Sequence, residues 1–71
     1  MSDTYVSVSV ILRRRTSKAV LVSPTEDRSI EAWIPRSCIH GADERTLDGV
    51  DLGDEIMLRM WEWIADRESL I

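Results

Sequence analysis

The sequence predicts a mainly β protein in which a small, strongly bent antiparallel sheet closes into a five-stranded barrel, OB-like or a similar small barrel, with a short C-terminal helix. Three observations predict this fold: period-two alternation near the N-terminus, a proline corner after a tryptophan-bearing strand, and turn residues between short apolar runs. Closure would hide the sheet edges and give a small chain its best core. The 71 residues predict a single domain, residues 1–71.

The first strand is predicted from residue 6 to residue 12, where β-branched and other apolar residues alternate with Ser7 and Ser9. An apolar run from Lys18 to Val22 predicts a second strand that is covered on both faces. Pro24 lies in the turn that follows, where it prevents the ladder from extending.

A third strand is predicted over residues 29–34, and Pro35 ends it. Period-two alternation turns Ile34 inward and Trp33 outward. The residues after the proline are too few for a regular helix, so we expect one tight turn in which Ile39 fills the core.

The second half begins with a long polar stretch, in which residues 44–47 are predicted as a weak strand. The last strong strand is predicted over residues 56–61, with Arg59 and Trp61 facing outward. The tail, residues 62–70, changes to helical spacing and predicts the C-terminal helix. The apolar residues at positions i, i+3 and i+4 are Trp61, Ile64 and Ala65.

The composition limits how such a small domain can be stabilised. Cys38 is the only cysteine, which excludes a disulfide within one chain, and His40 is the only histidine, which excludes a four-ligand Cys/His zinc site. Self-association is the remaining stabilising device. A lone cysteine without a recognisable signal peptide favours the cytoplasm. No apolar run approaches the roughly 20 residues of a membrane span, so no membrane partner is expected.

Charge is unevenly distributed along the chain, whose net charge is −4. Residues 1–40 carry six Lys/Arg and four Asp/Glu, whereas residues 41–71 carry three and nine. Such asymmetry suits head-to-tail contact or an anionic partner, and it is equally consistent with solvated surfaces.

Three segments carry a resemblance: SKAVLV at 17–22, AWIPRS at 32–37 and WEWIA at 61–65. Together they resemble a loosely defined group of small phage and bacterial proteins with a KAxLV strand, a WIPKS-type corner and a closing EWxA segment. The resemblance implies a compact β protein from phage-derived or DNA-replication and recombination gene settings, and it transfers no catalytic residues. This chain departs from the group by its acidic stretch between Gly41 and Asp54.

Neither catalysis nor metal binding is expected. Cys38 and His40 lie two residues apart, but no third group orients them as a nucleophile and base, so we expect a small buried cysteine and an exposed histidine. The acidic residues at 48, 51, 54 and 55 lack the alternating ligand pattern of a calcium loop and indicate a solvated turn. The chain is therefore predicted not to be an enzyme and to need no cofactor.

The first candidate site is a nucleic-acid surface. Small barrels bind single strands by combining a basic groove with aromatic platforms on which bases stack. The alternative for the tryptophans is core or interface packing, because Trp is heavily buried on average. The candidate residues are Arg13, Arg14, Arg15, Lys18, Arg36, Trp33 and Trp61.

The second candidate is a protein-interaction surface on the tail, where one helix face is charged and the other apolar. Its residues are Trp61, Trp63, Ile64 and Leu70. The sequence thus predicts a non-enzymatic interaction module that forms a homo-oligomer or docks on a protein partner. The alternative is a weak single-stranded nucleic-acid binder in a phage or DNA replication and recombination setting.

Overall fold

A computed structural model describes residues 4–71. It contains one antiparallel sheet of four strands in the order β3-β2-β1-β4. The strands are β1 (Tyr5–Arg15), β2 (Ala19–Pro24), β3 (Ala32–Pro35) and β4 (Glu55–Trp61). The helices are α1 (Gly41–Thr46) and α2 (Glu62–Arg67), with 3₁₀ turns at Arg36–Cys38 and Leu47–Gly49. The predicted mainly β class and the short C-terminal helix are confirmed.

The sheet is open, so the predicted five-stranded barrel is not shown. β3 and β4 are its outer strands, and the chain that follows β3 reaches β4 through an isolated bridge between Ile39 and Met60. Ile39 is buried, as predicted for the residue that fills the core after the proline corner. One bridge does not continue the ladder, and the sheet therefore keeps two separate edges.

The predicted weak strand at residues 44–47 is wrong, because this part of the chain forms α1 and the 3₁₀ turn after it. His40 caps the helix, since its Nδ1 accepts a hydrogen bond from the Ala42 backbone N–H. Asp43 and Glu44 lie in the first turn, where the helix dipole favours negative charge. Leu47 is fully buried and anchors the segment to the core.

β1 divides its side chains between two faces of the sheet. The core face carries Val8, Val10 and Leu12, which are buried as the alternation predicts. The register then shifts at a β-bulge, because Leu12 pairs with Val22 but Arg14 pairs with Leu21. The opposite face, called the outer face below, carries these β1 residues and their cross-strand partners: Tyr5, Ser7, Ser9, Ile11 and Arg14.

β2 is one of the two inner strands of the sheet, paired with β1 on one side and β3 on the other. Val20, Leu21 and Val22 are all buried, which confirms the prediction of a strand covered on both faces. In β3 the alternation is also confirmed, since Ile34 is fully buried and Trp33 is 48% exposed.

β4 and α2 close the core from the other end of the chain. Leu58 and Met60 of β4 are buried, and Arg59 alternates with them on the other face, as predicted. Ile64 and Ala65 of α2 are buried against the same core, which explains the helical spacing of the tail. A single continuous cluster therefore joins the sheet, the corner, Leu47 of the second 3₁₀ turn and α2.

We expect Ile34→Ala to leave the domain largely unfolded. Removing a fully buried Ile side chain costs about 2–5 kcal/mol, and a domain of this size holds only about 5 kcal/mol in total. Trp33→Ala at the adjacent, half-exposed position is the matched control and should cost much less. Thermal and urea denaturation followed by circular dichroism measures both. A wild-type melt for Ile34→Ala would show that this side chain lies outside the core.

Candidate interaction surface

The arginines predicted as one basic patch point in different directions. The bulge in β1 places Arg14 on the outer face opposite Leu21, while Arg15 lies opposite the buried Val20 and faces the core side. There the Arg15 Nη1 donates hydrogen bonds to the backbone carbonyls of Leu47, at 3.0 Å, and of Val50. Arg15 therefore closes the end of the 3₁₀ turn and contributes to the fold.

Arg36 is also committed to internal contacts. Its side chain is only 12% exposed and donates to Asp48 Oδ1 at 2.8 Å and to Glu44 Oε1 at 3.2 Å. The hydrogen bond from Arg36 lowers the pKa of Asp48, and the same contact raises the pKa of Arg36. These two ion pairs hold the proline corner against α1 and the 3₁₀ turn that follows it.

Arg13, the residue at the bulge, lies 3.8 Å from a carboxylate oxygen of Glu31. Two members of the predicted patch, Arg14 and Lys18, make no side-chain hydrogen bond or ion pair with the rest of residues 4–71 and are exposed. The cationic surface is therefore much smaller than the sequence suggests.

The aromatic candidates differ from one another. Trp33 lies in a row with Leu21 and Arg14 across three neighbouring strands of the outer face. Trp61 is half-buried and stacks on Tyr5, with ring centroids 4.3 Å apart and an interplanar angle of 18°. One face of the Trp61 ring is thus occupied within the domain, whereas Trp33 keeps an open side.

Two of the predicted protein-interaction residues are buried within the domain. Ile64 and Leu70 are only 5% and 7% exposed, because α2 and the residues after it pack onto the core of their own chain. Trp63 is 40% exposed and remains at the surface. The helical spacing identified an apolar face correctly, but it could not tell packing within the chain from packing on a partner.

The loop between β2 and β3, residues 25–31, lies over the middle of the outer face. Arg28 Nη2 is 3.5 Å from Glu55 Oε1 on β4, on the far side of β1. Beneath this crossing, Ile11 is 3% exposed and Ser23 is fully buried, with no hydrogen-bond partner for its Oγ among the described residues. The loop leaves an open area at each end of the outer face.

Sequence reasoning missed Met57, which is 62% exposed at one of these open areas. It lies opposite Ser9 on the outer face, two residues from the outward-facing Arg59. The alternation of β4 placed it correctly, but its exposure depends on where the β2–β3 loop ends.

Cys38 and His40 do not form a nucleophile and base. Cys38 is buried in the 3₁₀ turn, while His40 Nδ1 caps α1 and its ring meets Tyr5 edge-on at 5.0 Å. His40 is half-buried rather than exposed as expected. Within residues 4–71, no three His, Cys, Asp or Glu side chains come together as a metal ligand set.

Asp43 joins α1 to the edge of β4 that faces away from β1. Its Oδ2 accepts hydrogen bonds from the backbone N–H and Nε–H of Arg59, at 2.8 and 3.0 Å, and its Oδ1 accepts from Nη2 at 3.2 Å. These hydrogen bonds from Arg59 lower the pKa of the Asp43 carboxyl, against a smaller opposing effect of burial. The carboxylate therefore both satisfies a strand-edge N–H and forms a fork-like ion pair.

Comparison of the chain with protein-family models, with curated proteins and with solved structures finds no match. In the described part of the chain, neither α-helix has the length and apolar character that crossing a membrane requires.

We expect Asp43→Asn to lower stability at neutral pH and to flatten the acid limb of the stability curve. Because the folded-state pKa lies below the unfolded value of about 3.9, the unfolded chain binds the proton first. The stabilisation is present above that value and is lost as the pH falls through the folded pKa. Urea denaturation between pH 7 and pH 2 measures this loss.

The matched control is Asp51→Asn, whose side chain makes no hydrogen bond or ion pair with the other described residues. It should keep the wild-type dependence on pH. Parallel curves for wild type and Asp43→Asn would show that the Asp43–Arg59 contact does not contribute to stability in solution.

Proposed function

We propose that this chain is a non-enzymatic interaction module that binds a second copy of itself or another protein. The observation that supports this best is the exposure of large apolar side chains on a domain of only 71 residues. When a partner covers an exposed apolar group, that group is removed from water, which stabilises the complex. The exposed residues on the outer face and on α2 are Tyr5, Trp33, Met57 and Trp63.

The distribution of polar groups supports the same proposal. Arg15, Arg36 and Arg59 are used in internal contacts, so they are not available to orient a substrate or to bind phosphate. The single cysteine fits a reducing cytoplasm, and we propose that the protein acts in that compartment.

We expect the protein to form a dimer or a higher oligomer at micromolar concentration, with a melting temperature that rises with protein concentration. Binding that occurs only in the folded state adds to stability by mass action. Sedimentation velocity and equilibrium, with melts at several concentrations, measure both effects. A single 8.1 kDa species at high concentration, with a constant melting temperature, would contradict self-association.

The alternative function is weak binding of single-stranded nucleic acid in a phage or DNA replication and recombination setting. The row of Arg14, Leu21 and Trp33 favours it, since it brings an open aromatic ring to the same face as an arginine that has no ion pair among the described residues. In this alternative the bent sheet serves as the small-barrel surface expected from the sequence, with Lys18 nearby in the β1–β2 turn.

This alternative predicts quenching of tryptophan fluorescence by single-stranded oligonucleotides, with a dissociation constant on the order of tens of micromolar at low salt because the chain is acidic. Arg14→Ala with Lys18→Ala should reduce the salt dependence. Trp33→Ala should instead remove about 1–3 kcal/mol of stacking and leave the salt dependence unchanged. Arg15 and Arg36 stay intact in these variants, because they support the fold. No quenching at low salt would contradict the alternative.

A further inference from the structure

β1 leaves part of its hydrogen-bonding side without a neighbouring strand. β2 pairs with β1 from Val10 to Arg15, and Pro24 opposite Val10 is the last pair of that ladder. Over Tyr5–Ser9, β1 is paired with β4 on one side. The other side of Tyr5–Ser9 is called the β1 edge below.

The backbone groups at the β1 edge can be identified from β4. Ser7 lies opposite Arg59, whose N–H donates to Asp43 and whose C=O accepts from the His40 N–H. Because both Arg59 groups face away from β1, the pair is a non-hydrogen-bonded one, and the Ser7 N–H and C=O face the β1 edge.

The alternation extends this orientation to the neighbours of Ser7. Tyr5 and Ser9 lie two residues away on either side, so their backbone groups also face the β1 edge. The Ser9 C=O confirms the direction, because it accepts a hydrogen bond from the Thr25 N–H at 3.2 Å. Among the described residues, the groups left without a partner are both polar groups of Tyr5 and Ser7 and the N–H of Ser9.

A groove of about 280 Å³ lies beside the part of the β1 edge formed by residues 7–9. It is lined by Ser7, Ser9, Thr25 and Glu26 on the side of the sheet and the β2–β3 loop, and by Leu70 and Ile71 of the tail. Leu70 belongs to the core cluster, so the apolar side of the groove continues the core face. Ile71 is 61% exposed and would be covered by an added strand.

The other two edges are protected in ways that the β1 edge is not. β3 has four residues and ends at Pro35, which has no N–H to donate. β4 is covered at Arg59 by Asp43 and carries the charged Glu55 at its start. Residues 5–9, YVSVS, contain no charge, proline or glycine, and they have high strand propensity.

We infer that two copies of this chain pair through their β1 edges, as antiparallel strands related by a two-fold axis. This rests on the proposed function and names the contact through which self-association occurs. The occupant is a second copy because the β1 edge pairs with an extended segment that has unpaired backbone groups and apolar residues at alternate positions, and Tyr5–Ser9 is itself such a segment.

The unpartnered groups also determine the register. Pairing Tyr5 with Ser7 of the second copy uses only free donors and acceptors, and the symmetric pair does the same. Centring the strands on Ser7 instead would place Tyr5 opposite Ser9, whose C=O is already occupied by Thr25. The two-fold axis therefore passes beside Val6, which is half-buried and packs against its counterpart in the second copy.

The test compares proline substitutions at Ser7, on the β1 edge, and at Met57, on the outer edge of β4. Ser7→Pro removes an N–H at the β1 edge, while Met57→Pro removes one on the outer side of β4, and neither N–H takes part in the β1–β4 ladder. Sedimentation equilibrium should show that Ser7→Pro raises the dissociation constant of the dimer about tenfold or more, because one hydrogen bond is lost from each copy. Met57→Pro should dimerise like wild type.

Amide hydrogen exchange of the wild-type protein tests the same contact without a substitution. Protection of the Tyr5 and Ser7 amides should rise with protein concentration, whereas protection of the Met57 amide should stay constant. Dimers that survive Ser7→Pro, with no concentration-dependent protection at Tyr5 and Ser7, would overturn the β1-edge contact and leave the proposed interaction function standing. A wild-type protein that stays monomeric overturns the β1-edge contact and self-association, and it leaves only docking on another protein from the proposed function.

Discussion

The extra residue at the β1 bulge decides how both faces of the sheet are used. Without the register shift after Leu12, the three consecutive arginines would simply alternate between faces. With it, Arg14 joins the outer face and Arg15 reaches the carbonyls that end the 3₁₀ turn. The segment from α1 to β4 is therefore attached to the sheet by a residue that a sequence pattern assigns to a surface patch.

Acidic residues of the second half of the chain attach that half to the rest of the fold. Glu44 and Asp48 pair with Arg36 at the corner, and Glu55 pairs with Arg28 in the β2–β3 loop. Part of the charge asymmetry along the sequence is therefore neutralised within the domain. The exposed Arg28–Glu55 pair adds little stability by itself, so its main effect is to set the position of the loop.

The elements that follow from short-range patterns could be predicted, and those that depend on distant contacts could not. Alternation identified the buried Ile34 beside the exposed Trp33, and the apolar run identified β2 as a strand covered on both faces. The helix at residues 41–46 was missed because six residues give a weak helical signal and Asp43 needs Arg59, sixteen positions away, to hold it in place.

The candidate surface was less predictable than the fold. Arginines look alike in a sequence. Only the tertiary structure shows that Arg36 pairs with acidic residues of its own chain, whereas Arg14 makes no side-chain ion pair with the other described residues. Likewise, the tail contains an apolar face, but the sequence does not say that Leu70 packs on its own sheet. Such distinctions depend on tertiary register, which has no local signature.

The three tryptophans occupy different surroundings, so their fluorescence and circular-dichroism signals respond to different changes in the protein. Trp33 and Trp63 are already 48% and 40% exposed in the folded state, so their emission has little room to shift towards that of a solvated indole. Trp61 stacks on Tyr5, its partner across β1 and β4. This fixed aromatic contact gives the Trp61 indole an asymmetric environment. Near-ultraviolet circular dichroism would therefore follow the joining of these two strands more selectively than total fluorescence intensity.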